Sequence, residues 1–234
     1  MRRQVTRTTA VRQHREQRYS TKNWLNRLEG VPCFILGNSP SILDHDIQSL
    51  AEYFTIGINR SFRLLDSTML FWQDIGLWKT ESKTIHNLQA LKVSRDVSDP
   101  RRLYYNFHLK GGFYEFDRTK SHIFYGRGST GPIAVQMAVA LGCSPLILLG
   151  MDCKIGKDGA TDFYGVNSFW LPHTQDSCAT GLKFIKDHCP VPIIQCGRSD
   201  LWEQRMLSDV LKEISPKFSR GRQSYVRQIL GSAP

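Results

Sequence analysis

The 234-residue sequence has no run of eighteen apolar residues, so hydropathy offers no membrane-spanning helix. Its opening stretch, MRRQVTRTTAVRQHREQR, lacks the apolar segment that heads a secretory signal, and the protein is expected to act in the cytoplasm. No C-x-x-C pair occurs among the six cysteines (Cys33, Cys143, Cys153, Cys178, Cys189 and Cys196). Most sit in or beside apolar runs, where a thiol packs as a small hydrophobe, so neither a zinc site nor a disulfide framework is expected. The G-x-S-x-G and H-E-x-x-H patterns are missing as well, which removes the nucleophile elbow and the zinc-protease helix from consideration. There are no internal repeats and no low-complexity segments.

What is present is enough for one full core: 41% of residues are hydrophobic and 22% charged, with 18 Gly and 10 Pro. The net charge of +10 is unevenly placed. Residues 1–22 carry seven Lys/Arg against Glu16, and residues 216–234 carry Lys217, Arg220, Arg222 and Arg227 with no acid, leaving residues 23–215 neutral. The expected organisation is therefore a basic N-terminal tail, a neutral α/β body at 23–215 and a basic C-terminal tail. Two readings of the tails stand side by side. They are solvated segments, or they grip a polyanion, either nucleic acid phosphates or an anionic membrane surface.

Along the body, apolar runs alternate with helical patterns in the manner of an α/β protein with a mainly parallel sheet. VPCFILG (31–37), FTIGIN (54–59), MLFWQD (69–74), PLILLGMD (145–152) and VPIIQC (191–196) read as buried parallel strands. A short amphipathic helix is expected over ILDHDIQSLAEY, another around Leu77–Leu88, one from Asp176 to His188 and a last one near Leu201–Ile214. LKVS reads as a short strand and RRLYYNFHL as an edge strand. In STGPIAVQMAVALGC, Ser129 or Thr130 is placed to cap a helix that Pro132 starts and Gly142 ends. Residues 153–175, rich in Gly, Asp, Asn and aromatics, are too long for a plain connection and are expected to form a lid.

In an open parallel sheet, ligands bind beyond the carboxyl ends of the strands. The polar residues closing each strand become the candidate site: Asn38, Asn59, Gln73, Asp74 and Asp152, joined by the turn Arg127-Gly-Ser-Thr-Gly131. GNSPS is a small-residue turn that lets backbone N–H groups approach a phosphate ahead of a helix N-terminus, though this turn has neither the G-x-G-x-x-G nor the G-x-x-x-x-G-K-[ST] spacing. Among the seven histidines, His173 follows the aromatic loop and precedes a helix beginning TQDS. It reads either as a general base near neutral pH or as a loop residue that helps cap the helix.

Taken in order, ILGNSPS, GINRSF, RGSTGPIAVQMAVALGCSPLILLGMD and LPHTQDSCATGLKFIKD resemble the bacterial sialyltransferase family 42 of glycosyltransferases and its broader relatives, which include a pterin pyrophosphokinase group. The resemblance covers about residues 31–200. It implies a single Rossmann-like domain with a lid, transferring a sugar from a cytidine monophosphate donor with inversion and no essential metal. Asn38, Ser39, Ser41 and Asn59 would then lie along the donor, Ser129, Thr130 and Gly131 would face its phosphate and ribose, and Asp152 would flank the nucleotide. His173 would deprotonate the acceptor hydroxyl, and Arg127 would stabilise the departing phosphate. The chain departs from the family pattern at Ser39, where the family turn has glycine, and at Gln73-Asp74, where an Asn is expected. Of the two phosphate-holding tyrosines, Lys154 takes the place of one, and Tyr164 replaces the other only with a shifted loop.

The leading expectation is a nucleotide-sugar-dependent glycosyltransferase using a CMP-sugar or nucleoside-diphosphate-sugar donor. Its acceptor is a glycan hydroxyl or, given the basic tails, a hydroxymethylated base in DNA of the kind phages modify. Two alternatives remain open. One is an Mg²⁺-dependent phosphoryl or pyrophosphoryl transferase with Asp74 and Asp152 as metal ligands, and the other is a non-catalytic nucleotide-binding module.

Overall fold

The structure, a computed structural model, describes residues 20–95, 104–126, 128–156, 158–167, 172–214, 226 and 228–230, with the backbone alone at 172–174. Arg127 and most of both basic termini lie outside the described residues. Strands β1 (Cys33–Leu36), β2 (Phe54–Ile58), β3 (Met69–Trp72), β4 (Leu91–Arg95), β5 (Tyr105–Lys110), β6 (Ile123–Tyr125), β7 (Leu146–Leu149) and β8 (Ile193–Gln195) form one sheet in the order β6-β5-β4-β3-β2-β1-β7-β8. Every pairing is parallel. The helices are α1 (Ile75–Asn87), α2 (Thr130–Ala140), α3 (Pro172–His188) and α4 (Leu207–Glu213).

The central strands are apolar throughout because both faces of the sheet are covered: every residue of β1, β2, β3 and β7 is buried. Alternate side chains feed different cores. Cys33 and Ile35 of β1 join the cluster that contains α2 and the Leu182 and Ile185 side of α3. Phe34 and Leu36 pack instead with Ile42, Ile47, Leu50 and the α4 residues Leu207 and Val210. The expected α/β architecture, with helices on both faces of a parallel sheet, is what the chain adopts.

Several local expectations are corrected. The stretch 42–53 is not one amphipathic helix but two 3-10 turns, Pro40–Asp44 and Ile47–Glu52, because Asp46 breaks away to cap the second through its bond from the Gln48 amide. β5 is not the edge strand, since β6, a three-residue strand too short to stand out in the sequence, pairs outside it. α3 begins at Pro172, four residues before Asp176, and α4 covers only Leu207–Glu213.

Two further corrections bear on the body and its ends. Cys153 and Cys178 form a disulfide with their Cα atoms 5.5 Å apart, a pairing set by where the lid folds back and invisible as a spacing pattern. Val226 and Leu230 are buried in the main core, and the Trp24 indole donates to the Leu230 carbonyl at 2.7 Å. That part of the expected C-terminal tail packs on the body.

Where β1 and β7 run side by side, their loops leave to opposite faces of the sheet. Hydrogen bonding nevertheless continues past the strand ends, from Gly37 N to Leu149 O at 2.8 Å and from Ser39 N to Gly150 O at 2.9 Å. A Cβ on Gly37 would stand 2.1 Å from the Gly150 carbonyl oxygen, so only glycine permits this approach. Gly37→Ala is expected to destabilise the fold by about 3 kcal/mol. Gly111→Ala, with open space around the added methyl, should stay within about 0.5 kcal/mol of wild type. Urea unfolding of both variants checks the pair, and equal stabilities would contradict the packing argument.

Candidate functional site

At the carboxyl ends of β1, β2, β3 and β7 lies a cleft of about 270 Å³. It is a small-ligand volume, at the lower end of the usual range. Its wall collects Asn38 and Ser39 after β1, Asn59 and Arg60 after β2, Gln73 and Asp74 after β3, Ser129, Thr130 and Gly131 at the start of α2, and Tyr164 from the lid. Nine of the residues singled out by the sequence thus share one cavity.

Two asparagines, Asn38 and Asn59, line it. The Asn38 side-chain amide donates to the Ile58 carbonyl at 3.1 Å, which turns its Oδ1 the other way, and that oxygen is buried without a partner. Asn59 Oδ1 is likewise buried and unpartnered, on a residue whose left-handed backbone (φ 51°) bends the chain out of β2. Eight other buried side-chain polar atoms among the described residues also lack a partner, so the two oxygens by themselves do not mark a ligand site.

Gln73 shapes the opposite wall. Its side-chain amide donates to the Gly128 carbonyl at 3.0 Å and to Thr130 Oγ1 at 3.1 Å, pinning the turn that opens α2. Ser129 caps this helix by its backbone conformation and makes no side-chain capping bond. The N–H groups of the first turn and the positive end of the helix dipole therefore border the cleft, an arrangement suited to an anion. The spacing Gly126-x-Gly128-x-x-Gly131 between β6 and α2 is the G-x-G-x-x-G pattern, a signal in the sequence that reading RGSTG alone overlooks. By contrast, the GNSPS turn leads into a five-residue 3-10 segment and not an α-helix, so its dipole contributes little.

Other expected site residues have structural duties. Ser41 Oγ donates to Asp152 Oδ1 at 2.6 Å, the Arg198 amide donates to the same oxygen at 3.0 Å, and the Asp152 amide donates to Ser39 Oγ at 3.1 Å. Ser41 and Asp152 thereby lock the β1 and β7 loops together beneath the cleft and do not line it. Lys154 is directed away, into an ion pair with Asp200 at 2.6 Å beside a neighbouring groove that Asp152 borders. Asp74 lines the cleft but caps α1, accepting from the Gly76 amide at 2.7 Å. Asp74 and Asp152 thus face different cavities, and among the described residues no cluster of three or more His, Cys, Asp or Glu stands ready for a metal ion. The one D-x-D triplet, Asp44-His45-Asp46, is also structural: Asp44 pairs with Arg198 at 2.9 Å and Asp46 caps a turn.

The segment after β7 also brings two residues that the sequence did not mark, Asp162 and Asn167, to the cleft beside Tyr164, and Arg60 joins them there. Arg60 Nε donates to Glu81 of α1 at 3.2 Å, and its guanidinium lies 5.5 Å from the Tyr164 ring centroid, as does that of Arg63. Burial opposes the Arg60 charge, but its interactions with Tyr164 and Glu81 outweigh this and hold its pKa above the ordinary value. Burial also raises the Tyr164 hydroxyl, reinforced by the nearby Asp162 charge, and raises Asp162 against its bonds with Asn167 and Thr161. His173 lies in the first turn of α3, the helix whose Cys178 borders the cleft, and its side chain is outside the described residues.

Burial likewise raises the pKa of Asp152, the bonds from Ser41 and Arg198 opposing it. A carboxyl raised in the folded state binds more protons there than in the unfolded chain, so its contribution to stability is complete at acid pH and declines as pH climbs from about 4 through the raised value. Asp152→Asn keeps the acceptor oxygen and removes the charge. Its melting temperature relative to wild type is expected to rise between about pH 4 and about pH 7. A difference that is flat or falls over that range would contradict this.

No family model matches the chain, and no curated protein matches it in sequence. Among solved structures, the MAf glycosyltransferase from Magnetospirillum magneticum AMB-1 overlays with a TM-score of 0.58 at 15% identity, covering 93% of this chain and 41% of that one. The sialyltransferase CstII from Campylobacter jejuni, solved with cytidine-5′-monophosphate, overlays at 0.44 with 11% identity over 86% of this chain and 98% of that one, too loosely to bear on the site. This chain therefore spans about two fifths of the length of the MAf structure it matches, and what the likeness shows is a glycosyltransferase-like fold.

Proposed function

We propose that the chain is a nucleotide-sugar-dependent glycosyltransferase that moves one sugar to an acceptor hydroxyl by a single inverting displacement. The observation that carries this reading is the convergence, in one small cleft at the carboxyl ends of adjacent parallel strands, of the polar residues Asn38, Asn59 and Gln73 with the N-terminus of α2. The polar side chains suit the hydroxyl and amine groups of a nucleoside, and the helix end suits its phosphate. The glycosyltransferase-like fold supports the same class by analogy of architecture alone.

In the proposed step, His173 accepts the proton of the acceptor hydroxyl as that oxygen bonds to the anomeric carbon. The bond from that carbon to the phosphate oxygen breaks, and its electron pair leaves on the phosphate. The first-turn N–H groups of α2 and Arg127 stabilise the charge that collects there. The lid excludes water, which would otherwise hydrolyse the donor. The two carboxylates that the sequence offers as Mg²⁺ ligands, Asp74 and Asp152, stand in different cavities, which speaks against that pair sharing one ion. The acceptor is a glycan or a modified base in DNA, the basic termini supporting contact with a polyanion.

Mass spectrometry of products, after incubation with CMP-, UDP- and GDP-sugars and with oligosaccharide and hydroxymethylated DNA acceptors, tests donor and acceptor together. Transfer is expected with one donor class and no added metal, reduced about a hundredfold in His173→Ala. Undiminished transfer by that variant removes the base assignment. Absence of product from every combination removes the transferase reading.

A further inference from the structure

The described wall of the cleft is poor in positive charge. Asp74 and Asp162 border it, and Arg60 is the one basic side chain among its described residues. A phosphorylated ligand entering this space meets two carboxylates, and beyond the helix end a single described guanidinium answers it. Resting on the nucleotide reading above, we propose that Arg60 is the specificity residue that selects phosphorylated ligands over bare nucleosides, with Glu81 and Tyr164 as the positioning residues that hold it.

The placement follows from the chain. Asn59 takes a left-handed conformation at the end of β2 and starts the 3-10 turn Asn59–Arg63, so residue 60 emerges beside the cleft-facing asparagine. The Arg60 side chain is 19% exposed, against 43% for Arg63, which does not border the cleft. Glu81 takes Arg60 at Nε, the nitrogen nearest the stem, and binds Arg63 through Nη2 at 2.6 Å. One carboxylate thus serves two guanidiniums, and the trio retains a net positive charge. Glu81 engages the guanidinium at Nε and the Tyr164 side chain is a second hydrogen-bond partner, so a phosphate would take the N–H groups those two leave. Tyr164 lies against the same group from the lid side. The ring covers one face of the guanidinium and would shield a phosphate held there from water on that side.

Calorimetric titration of the full chain with cytidine, CMP, uridine, UMP and UDP separates this role from a structural one. Wild type is expected to bind at least one nucleotide more tightly than its nucleoside. Arg60→Met should weaken that nucleotide about tenfold or more while leaving the nucleoside within about twofold. Arg60→Lys, which keeps the charge without the fork, should fall between. Arg205→Met, which removes an equal charge from an exposed pair with Glu213, should leave the preference intact. Arg60→Gln replaces Arg60→Met if the latter does not fold by circular dichroism. Equal weakening of nucleoside and nucleotide, or no change in either, overturns the assignment of Arg60 alone. Wild type that binds none of the five compounds overturns the nucleotide reading, and this assignment falls with it.

Discussion

The close approach of two backbones at Gly37 and Gly150 is the constraint on which the site depends. With no side chain at position 37, the β1 and β7 loops stay hydrogen-bonded beyond the strands themselves. Ser39 and Ser41 then bond to Asp152 and close the gap that the diverging loops would leave. The open space lies over this seam and the ends of β2 and β3, against the start of α2. There Asn38, Asn59 and the Gly128–Gly131 turn converge on one volume. A buried carboxylate is costly, and its burial is compensated by hydrogen bonds that hold the floor of the cleft in one shape.

Over that rigid floor sits a cover fastened at two points. The Cys153–Cys178 disulfide joins the start of the lid to α3, the helix that follows it, and Tyr164 meets the Arg60 and Arg63 guanidiniums across the cleft. A covalent tie at the base limits how far the segment can stray, while a cation–π contact at the tip is weak enough to exchange.

Much of this architecture is legible in the sequence because burial on both sheet faces writes itself as unbroken apolar runs. VPCFILG, FTIGIN, MLFWQD and PLILLGMD each contain a strand of the observed sheet. Three-residue β6 leaves no such trace, and the capping role of Asp46 outweighs the helical periodicity around Ile42 and Leu50. The strand-end rule picks out Asn38, Asn59, Gln73 and Asp74, which line one cleft, since position along a parallel strand fixes which end a residue occupies. It also places Asp152 at the right end, but cannot tell that its carboxylate is bound to Ser41 beneath the cleft. Arg60 and Asp162 escape sequence reasoning because they become neighbours only when the lid folds back across the sheet. Lys154 departs from its expected place for the matching reason, finding Asp200 on the far side.

The central claim is that a nucleotide occupies the cleft bounded by the β1 and β2 ends and the N-terminus of α2. Backbone amide chemical shifts recorded during titration with CMP and UDP test it most directly, because they locate the ligand without reference to catalysis. The account predicts that the largest changes cluster at Gly37–Ser39, Asn59–Arg60 and Gly128–Gly131. Changes centred on the groove beside Lys154 and Lys183, or none at saturating nucleotide, would contradict it.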